Sequence, residues 1–114
     1  MSPARKKREY PNPYVKNPVM VLWRGQCMVR ADNIAGSCNS DCYADKRTPA
    51  SVCECICMGN NHGVGIQRAR RQIKFQGYGW VEQYMLENEL RNCSLQMFPT
   101  GGPVAWYPLD GVGP

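Results

Sequence analysis

Five cysteines and the chain's one histidine fall within residues 37–63, as Cys38, Cys42, Cys53, Cys55, Cys57 and His62. Thiolates and a neutral imidazole are the donors that Zn²⁺ and iron–sulfur clusters take. The spacing Cys-x₃-Cys-x₁₀-Cys-x-Cys-x-Cys-x₄-His therefore reads as a metal knuckle. Cys38 and Cys42 are four apart, so one helical turn puts both sulfurs on one side. Residues 53–57, if extended, project Cys53, Cys55 and Cys57 from a single face. The run Gly59-Asn60-Asn61-His62-Gly63 turns the backbone sharply and brings His62 back toward the sulfurs. Six donors exceed the four of a tetrahedral Zn²⁺. Either two are bystanders or the site holds something larger, such as an iron–sulfur cluster. Zinc is the first reading, with at least four of the six coordinating and one of Cys53 and Cys55 the most dispensable. The other two cysteines, Cys27 and Cys93, stand in apolar stretches and read as small buried hydrophobes.

Seven cysteines is an odd count, so they cannot all pair within the chain. The only apolar run after the basic N-terminal segment is residues 19–23, too short for a signal sequence or a membrane span. An intracellular, cytoplasmic location is expected, where thiols stay reduced and metal is favoured over disulfides.

Catalytic patterns are missing. The chain has no G-x-S-x-G, no Walker A loop and no H-x-E paired with P-C-x-x-C. Residues 59–65 precede a helix as a phosphate loop would, but they lack the lysine. Glu54 is the one carboxylate inside the cysteine run, and in an extended segment it points away from the sulfurs. The expectation is a protein without enzymatic activity.

The formal net charge is +5, and the basic residues are concentrated. Arg5, Lys6, Lys7 and Arg8 form one patch, and Arg68, Arg70, Arg71 and Lys74 form another just after the knuckle. Two such patches are the electrostatic footprint of a polyanion, which makes DNA or RNA the expected partner. A merely solvated helix face is the competing account.

The run Cys38-x₃-Cys42-Tyr43-x-Asp45 followed by Cys53-x-Cys55-x-Cys57-x-Gly59-x-Asn61-His62-Gly63 resembles a motif of small uncharacterised proteins of bacteriophages and other mobile elements. The resemblance covers about a quarter of the chain and implies no specific activity. Where that pattern has Cys-Gly-Gly, this chain has Cys57-Met58-Gly59.

The donors need elements to hold them. Residues 19–23 and 26–31 read as a β-hairpin turning at Arg24-Gly25-Gln26. Residues 45–51, with Pro49, read as a surface loop. Residues 64–74 carry Ile66, Ala69 and Ile73 at helical spacing, which predicts a short basic amphipathic helix. Gly77-Tyr78-Gly79 interrupts it, and a second helix is expected over 80–92. Its core face would be Trp80, Val81, Tyr84, Met85, Leu86 and Leu90, with Glu82, Glu87 and Glu89 on the wet side. Residues 94–98 add a last short strand.

The fold class expected is thus a small α+β metal-knuckle domain with an N-terminal hairpin, a cysteine-rich metal site and two helices. Residues 1–18 form a basic, proline-spaced arm, 19–98 the single metal-stabilised domain, and 99–114 a Pro/Gly tail. That tail carries Trp106-Tyr107, which either packs back or docks on a protein partner. Three functions fit: a nucleic-acid-associated accessory protein (the leading one), a small viral inhibitor binding a host protein, or an iron–sulfur redox or sensing protein.

Overall fold

The computed structural model describes residues 15–25, 33–100 and 106–109, the last four by their backbone alone. The basic arm with Arg5, Lys6, Lys7 and Arg8, the strand expected over 26–31 and Cys27 lie outside the described residues.

The fold is α+β. Strands β1 (Met20–Arg24), β2 (Ile34–Cys38), β3 (Cys93–Met97) and β4 (Trp106–Leu109) form one antiparallel sheet in the order β2-β1-β3-β4. One helical turn, α1 (Ser40–Tyr43), follows β2, and a long helix, α2 (Ile66–Glu87), packs across the sheet. The β-favouring run Met20-Val21-Leu22-Trp23 becomes the central strand β1, hydrogen-bonded on both sides and buried on both faces.

Directly paired residues share a face of a sheet. Met20 pairs with Cys38 and Met97, and Leu22 with Gly36 and Leu95. Met20, Leu22, Leu95 and Met97 belong to the core with Ala69, Ile73, Val81 and Met85 of α2. Cys38, at the end of β2, therefore stands on the helix-bearing side. Burying each large side chain of this layer is worth roughly 1.5–3 kcal/mol. On the other face Trp23 Nε1 donates to Gln96 Oε1 at 3.2 Å, which satisfies two buried polar groups at once.

Three expectations need correction. The two helices read on either side of Gly77-Tyr78-Gly79 are one continuous helix. Its buried residues are Ala69, Ile73, Gly77, Val81 and Met85, an unbroken i, i+4 series that includes the glycine. A Cβ at Gly77 would sit 3.1 Å from Met20 Sδ and 3.2 Å from Met97 Sδ, so this glycine is where the helix crosses β1 and β3 most closely. The stripe also leaves Leu86 exposed, although its apolar type placed it on the core face. Finally, the segment read as a tail contributes β4, paired to β3 from Cys93↔Leu109 to Gln96↔Trp106.

Candidate metal centre

Four elements deliver the cysteines. Cys38 closes β2, and Cys42 lies on α1, whose N-cap Asn39 accepts the Asp41 amide at 2.9 Å. The helical turn expected to carry both of these cysteines carries Cys42 alone, because Cys38 still belongs to the strand before it. Cys53 follows a 3₁₀ turn (Ala50–Val52), and Cys55 and Cys57 lead into the turns that end at Gly65.

Residues 53–57 do not form a strand, and their three sulfurs do not line one face. The reason is Ile56, which is buried against the core. A Cβ on Gly36 would fall 2.6 Å from Ile56 Cγ2, so only glycine at that point of β2 admits the isoleucine. With Ile56 inserted, the chain turns around it. The Cys57 amide donates to Cys55 Sγ at 3.3 Å, and Cys53 is left on the outer side.

The sulfurs of Cys38, Cys42, Cys55 and Cys57 all lie within 4.8 Å of one another, with Cys42 and Cys57 3.6 Å apart. A Zn–S distance of about 2.3 Å makes the edge of a ZnS₄ tetrahedron about 3.8 Å, so this group matches the coordination shell of one metal ion. Cys38 and Cys57 are fully buried and Cys42 nearly so, while Cys55 is half-buried. Four thiolates closing around an ion leave no open position, the pattern of a structural site.

Amide donors behind the sulfurs complete the arrangement. Asn61, fully buried, donates its backbone N–H to Cys57 Sγ at 3.4 Å and its Nδ2 to Cys38 Sγ at 3.6 Å. Its Oδ1 accepts from Gln72 Nε2 at 2.6 Å, and Gln72 Oε1 in turn accepts from Arg68 Nε at 3.3 Å. This run of hydrogen bonds ties the sulfurs to α2 and fixes their orientation, as hydrogen bonds to metal ligands do. With protons shared among the sulfurs, Cys57 is drawn far below the ordinary thiol range, first by its hydrogen bond with Cys38 and then by those with Cys42 and Cys55. Cys38 is pushed far above that range, chiefly by its hydrogen bond with Cys42. A cation bound among the four sulfurs would displace the protons they share.

Cys53 and His62 belong to a second group. Cys53 Sγ lies 3.8 Å from Cys42 Sγ, and a ring nitrogen of His62 falls within 4.8 Å of both sulfurs. His62 Nε2 donates to the Thr48 carbonyl at 2.7 Å and stands 3.6 Å from Asp45 Oδ2. Asp45 Oδ1 accepts the amides of Arg47 and Thr48, which hold its carboxyl below the usual range. The sharp turn expected of residues 59–63 is also present. Met58 and Gly59 both have positive φ, at 58° and 81°, a backbone that glycine adopts freely and methionine rarely. Glu54 is exposed, and Cys93 is buried within β3, away from both groups.

On α2, Arg68, Arg71 and Lys74 are exposed, whereas Arg70 is half-buried with its Nε unpartnered. Phe75, which the sequence reading did not single out, is 81% exposed beside them, with Lys74 Nζ 5.9 Å from its ring centroid. A large aromatic directly after the basic run was the available signal, visible only once the helix is known to continue past residue 74. No helix among the described residues is long and apolar enough to cross a membrane. Comparison with known proteins gives no match to a protein-family model, to a curated protein or to a solved structure.

Proposed function

We propose that this is a zinc-stabilised accessory protein without enzymatic activity that binds nucleic acid along the exposed face of α2. The observation carrying the proposal is the surface made by Arg68, Arg71, Lys74 and Phe75, together with its anchorage to the sulfur cluster through Gln72 and Asn61. Arg68, Arg71 and Lys74 recur every three residues and drift slowly around the helix, as a stripe following a phosphate backbone does. Phe75 beside them offers a face on which a base can stack, which favours a single strand. Glu82 and Glu87, also exposed, end the basic stretch and set its length. The resemblance of the cysteine motif to proteins of phages and mobile elements supports a viral setting.

Zinc is the ion we assign to the four sulfurs. An iron–sulfur cluster places its own iron and sulfide atoms between ligand pairs, and sulfurs within 4.8 Å suit a single ion better. Zinc-loaded protein is colourless, so a visible absorption band in anaerobically purified protein would overturn this assignment.

The binding test is anisotropy titration of labelled single-stranded and duplex oligonucleotides over a range of salt. Replacing Arg68, Arg71 and Lys74 with glutamine removes about three phosphate contacts. That flattens the slope of log K against log salt by about 2.1 units on single strands or about 2.7 on duplex DNA. Folded, metal-loaded protein that binds neither oligonucleotide at low salt would reject nucleic acid and leave a protein partner as the reading.

A further inference from the structure

We propose that the protein binds a second metal ion of the zinc class, held by Cys42, Cys53 and His62 and sharing the Cys42 thiolate with the first. The proposal rests on the reading of Cys38, Cys42, Cys55 and Cys57 as a metal centre.

Cys42 is common to both groups, with Cys57 Sγ at 3.6 Å on one side and Cys53 Sγ at 3.8 Å on the other. Both distances fit the edge of about 3.8 Å expected where two thiolates bind the same zinc. A thiolate has lone pairs enough to bridge two cations, and its charge offsets their mutual repulsion.

The histidine carries the second, independent observation. The His62 side chain is only 7% exposed. Its Nε2 is committed as a donor to the Thr48 carbonyl at 2.7 Å, which leaves the lone pair on Nδ1. Nδ1 is buried and has no hydrogen-bond partner. A buried, unsatisfied acceptor costs about 1–3 kcal/mol, so such an atom calls for an explanation. Metal-bound histidines characteristically donate their other ring N–H to a carbonyl or carboxylate, and His62 does so. An ion on Nδ1 satisfies the orphaned atom and uses the tautomer already fixed.

Three protein donors leave one tetrahedral vertex. A cleft lined by Asn39, Asp41, Asp45, Cys53, Thr48 and His62 opens at this point, so water or a small anion completes the shell. The second site is thus an open Cys₂His site beside a closed Cys₄ site, and it accounts for all six donors that the motif supplies.

The test is metal stoichiometry. Reduced full-length protein is titrated with Zn²⁺, passed over a desalting column and measured by elemental analysis and native mass spectrometry. Wild type should retain two ions per chain, His62→Gln and Cys53→Ser one each, and Cys93→Ala two. One ion in wild type overturns the second site and leaves the Cys₄ reading intact, whereas none overturns both. Two ions surviving in both His62→Gln and Cys53→Ser would also refute the assignment. Cadmium-113 substitution tests the shared sulfur: two resonances coupled to each other are expected, and two uncoupled resonances would reject the bridge.

Discussion

Replacing Gly79 with alanine should stabilise the protein, and replacing Gly77 should not. Both glycines lie inside α2, where alanine is favoured over glycine by about 0.8–1.0 kcal/mol. A Cβ at Gly79 meets nothing within 4 Å, so Gly79→Ala keeps the whole gain. At Gly77 the same atom lies 3.1 Å from Ile73 Cβ, 3.1 Å from Met20 Sδ and 3.2 Å from Met97 Sδ. Those contacts are shorter than the optimum of roughly 3.5–4.0 Å between carbons. Overpacking of this kind costs about 1–3 kcal/mol, which cancels or exceeds the propensity gain. Thermal melts followed by circular dichroism, at one fixed free zinc concentration, compare the two variants without a mass-action artefact. Gly79→Ala should raise Tm by about 4–8 °C for each kcal/mol gained, and Gly77→Ala should leave it unchanged or lower it. A Gly79→Ala protein that melts earlier would mean that the helix is broken there. Equal stabilisation by both would mean that α2 does not approach the sheet at Gly77.

Asn61→Ala removes the Nδ2 donor to Cys38 and cuts its link to Gln72, which keeps only the Asn60 carbonyl as acceptor, so zinc affinity measured by chelator competition should fall about 10–100-fold. Cys55→Ser should abolish the tetrathiolate site, while Cys93→Ala should leave metal content unchanged and lower only thermal stability. In unfolded metal-free protein the four thiols titrate near pH 8.5, so zinc binding at pH 6–7 should release at least about four protons and weaken steeply as pH falls. Calorimetry in buffers of different ionisation enthalpy counts those protons, and a release of one or two would show that fewer thiols coordinate. Phe75→Ala should weaken single-strand binding by about 1–3 kcal/mol with little change in the salt slope, since stacking releases no counterions. A changed slope with unchanged affinity would assign Phe75 no stacking role.

The cysteine motif was legible because ligand chemistry constrains residue type and local spacing together. The helical turn at Cys42 and the sharp turn at Gly59 follow from local rules and are present, whereas Cys38 comes from the strand β2. The division of the six donors was not legible. It depends on Ile56 inserting against Gly36, a contact between residues twenty apart that no local pattern announces. The continuity of α2 was hidden for a related reason. Gly77 reads as a breaker by propensity, yet tertiary packing requires a residue without a side chain at that crossing. Strand β4 was missed because Pro and Gly dominate its surroundings and Pro108 within it has no N–H to give to a ladder. Phe75 and Leu86 show the converse, apolar residues whose exposure only the direction of the buried stripe determines.

Amide dispersion before and after zinc removal bears most directly on whether an ion held by Cys38, Cys42, Cys55 and Cys57 organises the fold. Structural zinc contributes roughly 10–16 kcal/mol in small zinc peptides, more than a core of this size supplies unaided. In a ¹H–¹⁵N correlation spectrum of reduced protein, chelation should collapse the dispersed resonances of residues 34–66 and of α2, and readded zinc should restore them. A metal-free protein whose dispersion is unchanged would contradict the assignment.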